Sequence, residues 1–226
     1  INKLGEKTLD ELFNIYGSDK SNFFKKANRD GHGYSKFYTK HLDDLRNKQI
    51  NILEIGSYSG ASAAAFSKYF QNSNIFCLDV NISNFEYESK KINVYGVDIN
   101  NKKKVKKILS NIFEINQFNS FDLIIDDGSH NLSDILFSLN FFFNYLKKEG
   151  IFIIEDFKHP NYYQYNRNVN HILVDEFLKN LENKILSNSS IINQENQKNL
   201  MNSIKKIDTY KGNLKDSDIC FIKKLN

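Results

Sequence analysis

The chain has 226 residues, 40% hydrophobic and 14% aromatic, with 31 Lys and Arg set against 27 Asp and Glu. That length and apolar content suffice for one substantial core, so a single domain is expected. The composition also argues against several classes. The two cysteines, Cys77 and Cys220, each lie in an apolar run ("NIFCLDV" and "DICFIKK"), which suits reduced, buried thiols rather than a disulfide framework. No apolar run approaches the roughly 20 residues that span a bilayer, and the order of a signal peptide is missing at Ile1 and after. A cytoplasmic protein is expected, although a start at Ile1 rather than Met is compatible with a trimmed or excised segment. The net charge of +4 comes from lysines scattered among asparagines and is accompanied by no RNA- or DNA-binding motif, so nucleic acid is not an expected partner.

Residues 1–48 read as a helical lid: "TLDELFNIYG" and "YSKFYTKHLDDL" flank the irregular "SDKSNFFKKANRDGHG". From residue 49 to 226 strand and helix signals alternate. The runs "NILEIG", "NIFCLDV", "NVYGVD", "FDLIID" and "GIFIIED" are short and β-rich, and "ASAAAFSKYF", "KKKVKKIL" and "LSDILFSLNFFFNYLKK" separate them as helices. Val105, Ile108 and Leu109 fall at helical spacing, which turns the lysines around them to solvent. The closing segment offers a helix, a turn at Gly212-Asn213 and a last strand near Asp218 to Lys223. This pattern predicts an α/β fold, a parallel sheet with helices on both faces and ligands at the carboxyl ends of its strands.

The first chemical feature is "LEIGSYSGAS", Leu53 to Ser62, a strand that runs through a glycine turn into a helix. Such a turn exposes backbone N–H groups, and glycine permits close approach of a ligand. Only Gly56 and Gly60 appear, with Ser57, Tyr58 and Ser59 between them, so the G-x-G-x-x-G of a dinucleotide site is incomplete. Glu54 before the turn and Asp79 at the end of the second strand suit a cofactor with a cationic amino group and a ribose diol. Those are features of S-adenosylmethionine, although a glycine turn is often only structural.

The second feature is "FDLIIDDGSHNLSD", in which two aspartates, a glycine and a histidine follow a buried strand. Asp126 and Asp127 point in different directions past the strand end, one toward the cofactor and one toward the substrate cleft. The strand ending "IIEDF" should lie alongside and bring Asp127, Glu155 and Asp156 together. Three carboxylates so close would repel unless a cation held them, and hard oxygen ligands suit magnesium. Capping of helix N-termini is the simpler structural alternative. His130 follows by three residues, and an imidazole is a suitable proton acceptor near neutral pH. The loop "KHPNYYQYNRNVNH", with Tyr162 and Tyr163, has the stacking and hydrogen-bonding inventory of a carbohydrate loop, or equally of a polar surface.

Together, "LEIGSYSGAS", "LDV", "IIDDGSH" and "IIEDF", with "YGSDK" and "HGYSKFY" before them and "DSDICFIKK" after, resemble class I S-adenosylmethionine-dependent methyltransferases. Within these they are similar to the metal-dependent sugar O-methyltransferases of the macrocin and mycinamicin type. The resemblance implies a Rossmann-like sheet of seven strands, mostly parallel, with the last antiparallel. It implies cofactor binding by Glu54, Gly56, Ser57, Gly60, Ser62, Asp79, Asp98 and Asp126. It also implies Mg2+ or a similar divalent cation on Asp127, Glu155 and Asp156, His130 and Asp127 in catalysis, and an active-site cover bearing His32 and Tyr34. Where relatives often show Gly-Asp-Gln, this chain has Val97-Asp98-Ile99, a departure at the adenine contact. His41 reads as an ordinary helix residue.

The expected activity is therefore methyl transfer to a sugar hydroxyl of a small molecule or glycan, an activated nucleotide-linked sugar or a bacterial surface glycan being the acceptors in view. A homo-oligomer is compatible with this reading. A catechol-like diol is the nearer alternative acceptor, and a nucleotide-binding oxidoreductase or a non-catalytic binding domain the more distant one.

Overall fold

The computed structural model describes residues 7–162, 164–167 and 171–226. A capping box opens the first helix, α1 (Leu9–Tyr16): Glu11 N donates to Thr8 Oγ1 and Thr8 N to the Glu11 carboxylate. Gly17, left-handed at φ 74°, closes it. The irregular segment that follows forms a two-stranded ribbon, β1 (Phe23–Phe24) with β2 (Arg29–Asp30), before α2 (Ser35–Leu42).

The alternation expected from residue 49 onward then unfolds as β3 (Gln49–Ile55), α3 (Ala61–Tyr69), β4 (Asn72–Asp79), β5 (Ile92–Gly96), α4 (Lys102–Asn116), β6 (Phe121–Asp126), α5 (Leu132–Phe142) and β7 (Leu146–Glu155). Three helices, α6 (Gln164–Arg167), α7 (Val174–Glu182) and α8 (Gln194–Ser203), lead to β8 (Ile204–Lys211) and β9 (Asp218–Lys224). The strands lie in the order β5-β4-β3-β6-β7-β9-β8. The first five are parallel, and β9 runs antiparallel between β7 and β8. This is the sheet of the class I methyltransferase fold.

Both faces are buried, so the central strands read as continuous apolar runs rather than alternating ones. Leu53 and Ile55 of β3, with Phe152 and Ile154 of β7, pack toward α4, α5, α7 and α8. Ile50, Ile52, Ile151 and Ile153 face the other way, onto Leu9, Leu12 and Phe13 of α1, Tyr38 of α2 and Phe66 of α3. This parity also decides the acidic residues at the strand ends, because Glu155 continues the face of Ile151 and Ile153.

Some element limits depart from the sequence reading. The run "LSDILFSLNFFFNYLKK" is not one helix: α5 stops at Phe142, a 3-10 turn covers Phe143–Tyr145, and β7 begins at Leu146. The strand β8 was read as helix and turn. Lys205 and Lys206 and a register shift between Ile204 and Lys206 break its alternation. Both cysteines are free and buried. Among the described residues no helix is long and apolar enough to cross a membrane.

Candidate active site

The glycine turn after β3 and the acidic turn after β6 are built against each other. Asp127 N donates to Ile55 O at 2.9 Å, and Gly56 N donates to Leu78 O at 2.8 Å. Gly56 is left-handed at φ 80°, and a Cβ there would stand 2.1 Å from the Asp127 carbonyl oxygen. No side chain fits that gap, so this glycine is required by the close approach of two backbones. Gly60, at φ 79°, opens α3 beneath the ring of Phe85.

A cleft of about 450 Å³ opens over these strand ends, lined by Gly56, Tyr58, Asp79, Asp98, Asp127 and Asp134 among others. The Asp79 carboxylate accepts from Tyr58 N and Asn81 N, both at 2.8 Å, which holds the two neighbouring loops in place. Across the cleft, Asn100 Nδ2 donates to Asp134 Oδ1 at 3.0 Å and Ser129 Oγ to Asp134 Oδ2 at 2.5 Å. The donor chemistry fits an adenosyl cofactor: carboxylates at the ends of β4 and β5 for a ribose and an adenine, and a glycine-lined floor for a close-lying chain.

Of the residues expected at the cofactor, Glu54, Ser57, Gly60, Ser62 and Asp126 are not among those that line this cleft. Glu54 is fully buried and takes Ser62 Oγ at 2.5 Å and Cys77 Sγ at 3.8 Å, so it ties β3 to α3 and β4. Burial raises its pKa against the lowering influence of Lys20. Ser57 is buried close to the same carboxylate. Asp126 is buried under the acidic turn, where Gly128 N donates to its Oδ1 at 3.3 Å, and burial pushes its pKa up to about 7.

Past the strand ends, Asp127, His130 and Asp156 offer one ligand atom each within 4.8 Å of one another. His130 Nε2 stands 3.8 Å from Asp127 Oδ1 and 3.8 Å from Asp156 Oδ2. Both His130 (φ 55°) and Asp156 (φ 51°) hold left-handed backbones, conformations that cost energy and concentrate at functional sites. The Asp156 turn takes its side chain off the strand parity and toward His130. This donor set, two carboxylates and an imidazole, fits a divalent cation.

Glu155 points elsewhere. Lys20 Nζ lies 2.6 Å from Glu155 Oε2 and 2.5 Å from Asp127 Oδ2, and the Tyr38 hydroxyl donates to Glu155 Oε1. Lys20 is only 3% exposed and is held by its backbone, whose carbonyl accepts from Tyr34 N and Ser35 N. Burial opposes its charge, but Asp127 and Glu155 outweigh that and raise its pKa well above the ordinary lysine value, so it stays an ammonium. Burial and the neighbouring Asp127 push Glu155 up to about 8.

The N-terminal segment supplies the remaining donors. The Tyr34 hydroxyl donates to Asp156 Oδ1, and His32 Nδ1 stands 3.3 Å from the same oxygen and 2.8 Å from Ser217 Oγ. Burial works to lower the His32 pKa, yet the Asp156 contact makes the net shift upward. Burial likewise works to raise Asp156, but His32, His130 and Tyr34 bring it below the ordinary carboxylate value. Tyr34 and Tyr38 are raised by burial and by the acids they touch, so both remain proton donors.

The structure thus gathers Asp127, His130, Asp156, His32 and Tyr34 at one edge, with the cleft of Gly56, Asp79 and Asp98 beside them. Tyr162 is exposed and does not line the cleft; its hydroxyl donates to Lys215 O at 2.9 Å. Tyr163 lies outside the described residues. Lys20, Tyr38, Asn100 and Asp134 were not singled out in the sequence. The fragment "YGSDK" was the one signal that contained Lys20.

The fold is that of class I methyltransferases, and the comparisons find methyltransferases among the proteins this chain is similar to. Residues 53–157 match a family described as a methyltransferase domain. The chain resembles the macrocin and mycinamicin group of O-methyltransferases. It is 26% identical over 155 residues to the mycinamicin VI 2''-O-methyltransferase of Micromonospora griseorubida, covering 66% of this chain and 35% of that protein. It is 26% identical over 132 residues to the demethylmacrocin O-methyltransferase of Streptomyces fradiae, covering 55% of this chain and 32% of the relative. A solved structure of MycE, a methyltransferase of the mycinamycin biosynthetic pathway in complex with Mg and SAH, superposes with a TM-score of 0.70 at 21% identity. That superposition covers 97% of this chain and 55% of the other. The chain therefore spans about a third of the length of these curated relatives and about half of the structural neighbour.

Proposed function

We propose that this protein is an S-adenosylmethionine-dependent, Mg2+-dependent O-methyltransferase acting on a sugar hydroxyl, with a nucleotide-linked sugar or a bacterial surface glycan as acceptor and the cytoplasm as its place of action. The observation that carries the reading is the adjacency of two chemistries: a cofactor-shaped cleft and the Asp127, His130, Asp156 group, which share Asp127 as a common wall. The similarity to sugar O-methyltransferases supports the acceptor class.

When bound, the cofactor supplies an activated methyl group and the divalent ion polarises the acceptor hydroxyl. The chain's own residues do the rest. Asp79 and Asp98 orient the ribose and adenine, and Gly56 allows close approach of the cofactor tail. Asp127 and Asp156 hold the ion, and Glu155, expected as a third ligand, can join them only if Lys20 yields its oxygen. His130 Nε2, 3.8 Å from an oxygen of each of the Asp127 and Asp156 carboxylates, would accept the proton of the acceptor hydroxyl. His32 and Tyr34 fix the Asp156 carboxylate, so the oxygen it offers is set before the acceptor arrives. Such alignment contributes up to about 7–11 kcal/mol of a barrier in favourable cases.

The test is a methyl-transfer screen against nucleotide-linked sugars, read by mass, with EDTA-stripped protein and Mg2+ added back. Activity should vanish on stripping and return with the ion, while S-adenosylhomocysteine still binds. Full turnover in chelator with a verified acceptor would overturn the metal assignment.

A further inference from the structure

The three ligand atoms at the acidic edge raise a question of ion identity. Mg2+ takes oxygen ligands in an octahedron, whose adjacent donors stand about 2.9 Å apart. A tetrahedral Zn2+ accepts imidazole nitrogen readily, and its ligand atoms stand about 3.4 Å apart. Here His130 Nε2 is 3.8 Å from one oxygen of each carboxylate and the three ligand atoms lie within 4.8 Å of one another, so the cluster has to contract around an ion to complete a mixed nitrogen and oxygen site. The imidazole is partly exposed and meets the ring of His159 edge-on, with centroids 5.4 Å apart. Imidazole suits Zn2+ as a ligand, whereas carboxylate and water suit Mg2+, so charge alone does not reserve the position for Mg2+.

We infer that Asp127, His130 and Asp156 also form a site for a borderline divalent ion, with Zn2+ the type, in which His130 Nε2 becomes a ligand. The two ions then differ in what they leave behind. Mg2+ rests on the carboxylates and leaves the imidazole free to take a proton. Zn2+ occupies the nitrogen lone pair that the reaction needs, and so inhibits in competition with Mg2+. The inhibition rests on the reading of His130 as the base, whereas the binding does not.

The experiment uses the full chain, stripped of metal and titrated with Zn2+ in competition with a chromophoric chelator. Wild type should bind one Zn2+ per chain. Because loss of even an outer-shell partner typically weakens a metal site 10- to 100-fold, loss of a ligand in His130→Asn should weaken Zn2+ by about 100-fold or more. Glu155→Gln should leave Zn2+ affinity within a few-fold of wild type, and Co2+ absorption gives a second reading: an intense visible band in wild type, lost in His130→Asn. Mg2+ affinity, measured by calorimetry, should not change in His130→Asn. Equal Zn2+ affinity in wild type and His130→Asn, or no Zn2+ binding by wild type, overturns the inference. A parallel loss of Mg2+ affinity in His130→Asn also overturns it, since the imidazole would then serve both ions. Failure of Mg2+ to restore methyl transfer would count against the function proposed above and leave the Zn2+ measurement standing.

Discussion

Lys20 and Glu155, separated by 135 positions in sequence, meet at 2.6 Å with almost no solvent between them. The lysine also reaches the partly buried Asp127 at 2.5 Å, so one ammonium serves two carboxyl groups. Removing one partner of a buried pair leaves the other charge uncompensated and typically costs about 3–5 kcal/mol. Lys20→Met should lose stability on that scale in urea unfolding, and adding Glu155→Gln should recover part of the loss, because the two sites share one interaction. A loss under about 1 kcal/mol would show that water or a rearranged side chain replaces the lysine.

Gly56→Ala is expected to damage both turns at once. A Cβ there would press against the Asp127 carbonyl from 2.1 Å, and alanine also disfavours the left-handed backbone of φ 80°. Strain and overpacking together should cost about 2–4 kcal/mol, read by thermal unfolding, and S-adenosylhomocysteine binding should weaken in the protein that remains folded. Unchanged unfolding would mean that the acidic turn can move away freely.

Asp79→Ala should weaken S-adenosylhomocysteine binding by about 1–3 kcal/mol, the usual penalty when polar groups lose a partner. Calorimetry measures it directly. Because the carboxylate also holds Tyr58 N and Asn81 N, Asp79→Asn, which retains one acceptor oxygen, should fall between wild type and alanine. Wild-type affinity in both variants would remove Asp79 from the cofactor site.

The fourth expectation concerns pH. His41 stacks on Phe221 with ring centroids 4.2 Å apart and its Nε2 pairs with Tyr210 Oη at 2.9 Å. Burial lowers its pKa below the ordinary 6.5; Asp208 opposes the shift, and Lys40, Lys206 and Lys223 reinforce it. A histidine with a lowered folded value binds its proton more readily when unfolded. Its contribution to stability is therefore complete above pH 6.5 and is lost as pH falls through the folded value. His41→Phe keeps the stacking but has no proton to bind, so its unfolding midpoint should decline less than wild type between pH 7.5 and pH 5.5. Parallel declines would assign the acid sensitivity wholly to other groups.

What was legible in the sequence was local. The glycine turn, the paired acids and the final strand are each contained in a run of about ten residues, and their residue types carry the signal unaided. The side on which Glu155 falls was also implicit, since it shares strand parity with Ile151 and Ile153, whereas Asp156 leaves that parity only through a left-handed turn. The donors could not be read this way. Lys20, Tyr34 and Tyr38 reach carboxylates 107 to 135 positions away, and nothing near them in the chain marks a tyrosine or a lysine as the partner of a particular acid. The strand β8 was obscured for a different reason: its lysine pair and register shift remove the alternation by which a half-buried strand is identified.

The place of β9 has a consequence for the order in which the molecule can assemble. It is the last strand in the chain, yet it lies between β7 and β8 and supplies the hydrogen-bonding partner for the outer side of β7. Until it arrives, the strand that carries Glu155 and leads into Asp156 keeps an open edge, and the hairpin bearing Ser217 and Asp218 has not yet met His32 and Tyr34. Closure of such long loops is slow relative to local structure formation. The acidic edge is therefore among the last parts to set, and a nascent chain in which the glycine turn has already formed would still lack a finished acidic pocket.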